Sequence, residues 1–339
     1  MHGTTCCRRG PFQAASDPLR MPGMTQRFHY GLDAIPEALC RGVLAIGNFD
    51  GVHRGHQRIV QTARELAGQG VGPVLAMTFD PPPDVVIRPN DKLRRLTPHK
   101  HKCELLAAAG ADAVVTARAT RQLLGMEPDA FAEQVIARRL APRHVVEGPN
   151  FRFGRRRAGD VAALAAAGER LGFEVHVVEP VFTEIDGEPW RVSSTRVREL
   201  IAQGRIEAAA RCLGRPYALY GPVLPGAGQG RLLSFPTANI DPPEQIVPAD
   251  GVYAGIAEVG GGRHAAAVSI GNKPTLGPAP ERVVEAFLLD GTGDYYGQEL
   301  KLELLARVRD QERFRSAEQL SDQIAKDVAR VRDICRQEL

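Results

Sequence analysis

Hydrophobic positions along this chain follow two different rhythms. From Val43 to Val181, short apolar runs alternate with segments whose apolar residues recur at helical spacing. VLAIG (43–47) and PVLAMTF (73–79) predict buried strands. Between them HQRIVQTARELAGQG predicts a helix, with Ile59, Val60, Ala63, Leu66 and Ala67 on one side and Gly68 and Gly70 near its end. KHKCELLAAAGADAVVTA predicts a helix, a stop at Gly110 and a strand over 113–117. PDAFAEQVIARRL (128–140) predicts a helix with Pro128 in its first turn. RHVVEG (143–148) and FEVHVVEPV (173–181) predict strands flanking a helix at GDVAALAAAGERLG (159–172). Strands alternating with helices through short connections predict a parallel sheet covered on both faces, with any site at the carboxyl ends of its strands.

RIEAAARCLG (205–214) predicts one more helix, a connector, and the rhythm then changes. Over 217–308, YALYGPVL, GVYAGIAEV, HAAAVSIG, RVVEAFLL and LKLELLARV are short runs broken by Gly and Pro, the pattern of an antiparallel barrel or sandwich, with a barrel expected. SAEQLSDQIAKDVARVRDICRQEL closes the chain as a helix, with Ser316 as N-cap and a stripe of Leu320, Ile324, Val328 and Val331. The expected fold class is α/β: a Rossmann-like parallel-sheet half, then an antiparallel β-barrel with a C-terminal helix. The expected boundaries are a disordered tail (1–28), a sheet domain (29–204), a connector helix (205–214) and a barrel domain (215–339).

Composition narrows the function. A chain of 339 residues suggests two domains, and 43% hydrophobic with 24% charged residues is ordinary globular usage. The net charge of +3 lacks the basic excess of a nucleic-acid binder, although it leaves room for a local basic patch. Cys6, Cys7, Cys40, Cys103, Cys212 and Cys335 form no CxxC pair and no zinc-ligand spacing, which suits a reducing, cytoplasmic setting. No apolar run approaches the roughly 18 residues that span a bilayer, so no membrane association is expected. Arg8 and Arg9 precede no apolar stretch, so the first residues do not read as a signal peptide, and Met21 and Met24 offer later starts.

Candidate chemistry first arises at GNFDGVHRGHQ (47–57), between the first strand and the first helix. Gly47, Gly51 and Gly55 permit tight turns and close backbone approach, and a helix N-terminus favours anions. His53 and His56, three apart, can face one spot there and clamp developing phosphate charge. Taken alone, this stretch also fits a simple turn with capping histidines. Two histidines without a third ligand argue against zinc, and no GxxxxGK[ST] loop occurs. In VSSTRVREL (192–200), hydroxyls and free amides precede an amphipathic helix carrying Arg196 and Arg198, although Ser194 or Thr195 could be a plain N-cap. Arg155–Arg157 reads as a solvated charge run.

GNFDGVHRGH resembles the signature of the FMN adenylyltransferase module of prokaryotic bifunctional riboflavin kinase/FAD synthetases. LAMTFDPPP (75–83), EGPNFRFG (147–154) and VSSTRVREL resemble that family's next motifs in order and spacing. The similarity runs from about Phe28 to the C-terminus. It implies that Gly47, Asn48, Phe49, Asp50, Gly51 and Gly55 form the ATP-phosphate loop. His53 and His56 would then be catalytic, Asn150 would face ATP and FMN, and Ser194, Thr195 and Arg198 would hold ATP phosphates. The implied reaction is attack of the FMN phosphate on the α-phosphorus of ATP, with release of pyrophosphate.

GAGQGRLLSFPTANI (226–240) resembles the riboflavin kinase signature, with Gly230 and Arg231 at its phosphate loop. Thr237 and Asn239 share a strand face and offer oxygens suited to Mg²⁺. VVEAFLLD (283–290) resembles the strand bearing the catalytic carboxylate, here Glu285, and Arg309 and Phe314 match flavin-facing positions. Four positions depart from the family pattern: Pro82 for His, Ser234 for Gly, Phe287 for His and Gly291 for an aromatic residue. Phe287 shares a face with Glu285 and would desolvate it. The resemblance implies a bifunctional enzyme acting on riboflavin, FMN and ATP with Mg²⁺, as a monomer or weak homo-oligomer. Three rivals stand beside it: an FAD synthetase with an inactive flavin-binding barrel, a flavin or nucleotide sensor, and a nucleotidyltransferase for another mononucleotide.

Overall fold

The computed structural model describes residues 27–33, 35–89, 94–224, 237–242, 244–273, 281–291, 293–312 and 314–339. Strands β1 (Phe28–Tyr30), β2 (Val43–Ile46), β3 (Val74–Phe79), β4 (Ala113–Ala117), β5 (His144–Glu147) and β6 (Glu174–Val177) form one sheet in the order β1-β4-β3-β2-β5-β6. Every pair in it is parallel. Residues of β2 and β3 are buried throughout because both faces are covered. Leu44 and Ile46 enter one core layer, while Val43 and Ala45 enter the other. The expected tail lies outside the described residues up to position 26. Its last residue, Phe28, is instead the start of β1, paired with Val114, because β4 offers an open parallel edge.

The covering helices are α1 (Arg54–Leu66), α2 (Pro83–Ile87), α3 (His99–Ala108), α4 (Arg121–Leu124), α5 (Pro128–Phe131), which continues as a π-helix through Leu140, and α6 (Val161–Leu171). The run expected as one strand to Val181 ends at Val177 and is followed by a hairpin, β7 (Phe182–Ile185) and β8 (Glu188–Arg191). Asp186 and Gly187 turn it with φ of 56° and 81°, the positive values that an Asp-Gly hairpin turn requires. Helices α7 (Ser194–Ala202) and α8 (Ile206–Leu213) then lead to the second half.

There β9 (Tyr217–Leu224), β10 (Thr237–Ile240), β11 (Gly251–Val259), β12 (Gly262–Lys273), β13 (Glu281–Leu288) and β14 (Glu299–Arg309) close into a barrel of order β10-β13-β12-β11-β14-β9. All its pairs are antiparallel, and β9 to β10 completes the closure. Alternate residues fill the interior, among them Val284, Ala286 and Leu288 of β13. Helix α9 (Ala317–Cys335), capped by Ser316 accepting from the Gln319 amide, packs on the outside against Ala254, Ile256 and Ala265 through Val331 and Cys335. Leu320 of the expected stripe stays 40% exposed, since it lies at the far end of that helix. Among the described residues no helix is long and apolar enough to cross a membrane.

Candidate active sites

Strand β2 lies between β3 and β5, so the chain diverges to either side of its carboxyl end and leaves a crevice there. The turn from β2 into α1 fills that crevice with unusual backbone: Phe49, Gly51 and Val52 have φ of 50°, 81° and 37°. A β-branched residue at positive φ is strained, and such a turn persists only where its surroundings hold it. Arg215 donates to the carbonyls of Gly51 (2.7 Å) and Val52 (3.2 Å), and the Gln57 amide donates to Val52 O at 2.8 Å. The Asn48 carbonyl accepts from Lys102 Nζ (3.1 Å) and Thr78 Oγ1 (3.2 Å).

His53 is the N-cap of α1, its Nδ1 accepting from the His56 amide at 3.3 Å. That bond assigns the proton of the neutral ring to Nε2. The two imidazoles stack with centroids 3.6 Å apart, and Phe49 meets His56 edge-on. A Cβ on Gly55 would come within 3.2 Å of the His53 ring, tight enough that the ring would have to shift by a few tenths of an ångström. Burial lowers the His53 pKa to about 4, with Arg215 and Arg198 adding to the effect. Burial also pushes His56 well below the usual imidazole range, reinforced by His53 and Lys102. Both rings are therefore neutral near pH 7. His56 Nδ1 and Asn48 Oδ1 are buried and make no hydrogen bond among the described residues.

Two cavities adjoin at this pair. One, about 370 Å³, is lined by His53, Gly55, Pro180, Arg191, Ser193 and Ser194, among others. The other, about 360 Å³, has apolar walls including Phe79, Ile87, Leu124 and Phe131, and also touches Asn48. Gly47, His56, Asn150, Phe151 and Arg157 line both.

Of the residues singled out in the sequence, Gly47, Asn48, Phe49, Gly55, His53, His56, Asn150 and Ser194 thus gather at the crevice, Phe49 from the core behind it. Asp50 and Arg198 do not line either cavity. Their side chains form an ion pair with each other, and Asp50 also accepts from the amides of Leu96 (3.0 Å) and Thr97 (3.3 Å). Arg198 further donates to Arg94 O at 3.2 Å. Both side chains brace a buried loop beside the crevice. Gly51 serves the turn, and Thr195 is exposed on the first turn of α7. The cap of α7 is Ser193, accepting from the Arg196 amide, while the Ser194 hydroxyl donates to Asp50 O. Within the arginine run, Arg155 pairs with Glu127 as a solvated residue, whereas Arg156 and Arg157 line the apolar cavity.

Sequence reading missed three groups. Glu147, at the end of β5, is 2% exposed, accepts from the Ile46 amide at 2.7 Å and lines the first cavity, and burial raises its pKa well above the carboxylate range. Burial lowers Lys102 to about 8. Arg191 lines the first cavity from β8. Glu147 lay inside a quoted motif, yet nothing local marks it as buried.

The barrel brings its candidate residues Glu285 and Asn239 to its outer face. Antiparallel register sets Glu285 of β13 directly opposite Asn239 of β10 and Ser269 of β12, and sets Phe287 opposite Thr237. Partners in register share a face, so these positions all lie outside while Val284 and Ala286 point in. Beside them, a cavity of about 220 Å³ between barrel and α9 is lined by Ser269, Phe287, Arg309, Phe314, Ile324 and Asp327, among others. Phe287 is thus a wall of that cavity and packs with the α9 cluster, apart from its expected effect on Glu285. Arg309 donates to the Asp327 carboxylate from Nε (3.0 Å) and Nη2 (2.8 Å) and lies 5.7 Å over the Phe314 ring. Gly230, Arg231 and Ser234 lie outside the described residues.

Comparison with known proteins matches the two halves to two families. Residues 35–196 match the FAD synthetase family, and residues 213–335 match the riboflavin kinase family. The bifunctional riboflavin kinase/FMN adenylyltransferase of Escherichia coli K12 is 34% identical over 306 residues, covering 90% of this chain and 95% of that relative. The protein of the same description from Listeria monocytogenes is 35% identical over 287 residues, covering 84% and 90%. A crystal structure described as a macrolide-efflux protein from Streptococcus pneumoniae superposes with a TM-score of 0.81 at 26% identity, over 90% of this chain and 99% of that one.

Proposed function

The chain belongs to the bifunctional riboflavin kinase/FMN adenylyltransferase family and carries both activities, and from that premise we propose how its residues divide the work. The matched kinase half sets aside the reading of a barrel without activity, and the paired activities set aside the sensor and the alternative nucleotidyltransferase. Residues 29–204 perform the adenylyl transfer and 215–339 the phosphorylation, with 205–214 as connector.

In the first half the polar cavity takes ATP and the apolar, aromatic one takes the flavin of FMN. The observation that carries this is the neutral His53–His56 stack at the junction of the two cavities. An FMN phosphate oxygen attacks the α-phosphorus of ATP, the bond to the β-phosphate oxygen breaks, and pyrophosphate leaves. The nucleophile is already an anion, so no protein nucleophile is required. His53 Nε2–H donates to the developing charge, joined by the N-terminal amides of α1 and α7, Ser194, Thr195, and the cations Arg157 and Arg191. Asn48 and Asn150 orient the two substrates.

In the barrel, Glu285 takes the proton from the riboflavin 5′-hydroxyl as that oxygen attacks the γ-phosphorus of a second ATP, and ADP leaves. Arg309 and Phe314 hold the flavin against Phe287 in the cavity beneath α9, and Gly230 with Arg231 serves the phosphates. Asn239 opposite Glu285 offers oxygen donors on one face, a set that fits Mg²⁺, with Thr237 two positions earlier on the same strand. Bound there, Mg²⁺ would neutralise phosphate charge. The reactions proceed in the cytoplasm, on a monomer or weak homo-oligomer.

Chromatography of products from riboflavin or FMN, each with ATP and Mg²⁺, tests the division. His53→Asn and His56→Asn are expected to slow FAD formation by about 10²-fold or more and to leave FMN formation intact. Glu285→Gln is expected to slow FMN formation by about 10²–10⁴-fold and to spare the FMN-to-FAD step. Variants that impair both steps equally would overturn the assignment.

A further inference from the structure

Three ligating side chains converge away from both sites. His144 opens β5, and Glu174 and His176 lie on β6, the edge strand of the parallel sheet. Register pairs His144 with Glu174 and Val146 with His176, so all three side chains emerge on one face while Val145 and Val175 enter the core on the other. His144 Nδ1 and His176 Nε2 are 2.9 Å apart. The Glu174 carboxylate straddles them, one oxygen 3.6 Å from His144 Nδ1 and the other 3.6 Å from His176 Nε2. The three residues form a group whose ligand atoms all lie within 4.8 Å of one another.

We propose that His144, Glu174 and His176 form a binding site for a divalent transition-metal ion of the zinc class. A tetrahedral ion with bonds of about 2.0–2.1 Å needs ligand atoms about 3.3 Å apart. The imidazole nitrogens stand 2.9 Å apart, each has a carboxylate oxygen at 3.6 Å, and one ligand atom from each side chain fits within 4.8 Å of the others, distances that small side-chain adjustments bring to that value. Two imidazoles and one carboxylate suit Zn²⁺, Ni²⁺ or Cu²⁺ and disfavour Mg²⁺, which prefers an all-oxygen shell. The imidazoles are 20% and 25% exposed and the carboxylate 66%, so an ion has a path in and a fourth position open to water. His144 stands three residues before Glu147, about 10 Å along β5 from the crevice. The ion would cross-link β5 to the sheet edge without entering the ATP cavity.

The test is titration of the full chain with ZnCl₂ under excess Mg²⁺, read by calorimetry and by thermal denaturation. One equivalent is expected to bind and to raise the melting temperature. His144→Ala and His176→Ala are each expected to lose that equivalent while FAD formation stays at the unmodified rate. Cys6→Ser with Cys7→Ser is expected to retain it, and Co²⁺ bound in its place is expected to show no thiolate charge-transfer absorption. Unchanged zinc stoichiometry in His144→Ala or His176→Ala would overturn the site, as would loss of the equivalent in the cysteine variant. Absence of any bound zinc would leave the cluster a hydrogen-bonded histidine pair and refute the proposal.

Discussion

His53 caps a helix through one ring nitrogen, a duty that requires the neutral ring, and presents the other nitrogen to the crevice. Its pKa of about 4, against an ordinary 6.5, has a consequence for folding. Between those two pH values the unfolded chain binds the proton and the folded one does not, so stability is complete above pH 6.5 and declines as pH falls toward 4. For this one residue the decline amounts to about 3 kcal/mol. His56 and His99 are depressed by burial in the same direction. Urea-denaturation midpoints are therefore expected to fall between pH 7 and 5, and to fall less steeply in His53→Asn. An equal slope in the two proteins would show that the ring is not held neutral by the fold.

At the scale of elements, the strained turn between β2 and α1 depends on a residue far away in sequence. Arg215, just before β9, satisfies the carbonyls of Gly51 and Val52 and of Leu213 beside it. Arg215→Met keeps the apolar stem but leaves those buried carbonyls without a charged donor, at a cost of about 1–3 kcal/mol. The expected outcome is a lower melting temperature and slower FAD formation from FMN, with riboflavin phosphorylation retained, since the barrel's outer site is untouched. Steady-state rates for the two half-reactions check it. Helix α9 plays the corresponding part for the barrel, where Asp327 fixes Arg309 at the cavity wall and Gln323 in turn donates to Asp327 at 2.9 Å.

At the scale of the whole molecule, the two halves share one core. The barrel interior continues through Leu213, Ile206 and Cys212 of α8 and Val197, Leu200 and Ile201 of α7 to Leu96 in the sheet half. Polar contacts reinforce the junction: Gln245 donates to Leu96 O, Arg95 pairs with Glu244, and His101 stacks on Tyr220 with centroids 3.7 Å apart. A continuous apolar core couples the stability of its parts. Scanning calorimetry is expected to record a single unfolding transition, and two well-separated transitions would show that the junction is only a contact surface.

The sequence by itself determined the order of elements, the change from parallel sheet to barrel, and the loops that gather at each site. These are local properties: apolar period, turn residues and short motifs report the backbone they occupy. His53, His56, Asn150 and Glu285 stand out as candidates for that reason. Only the tertiary structure decided which charged residues pair with one another. Asp50 and Arg198, 148 residues apart, turn toward each other. Glu147 and Lys102 are buried by elements that their neighbours in sequence do not reveal. The hairpin at Asp186-Gly187 carried a signal in its turn, whereas the partnership of Phe287 with α9 carried none, because burial and ion pairing are set by contacts between distant segments.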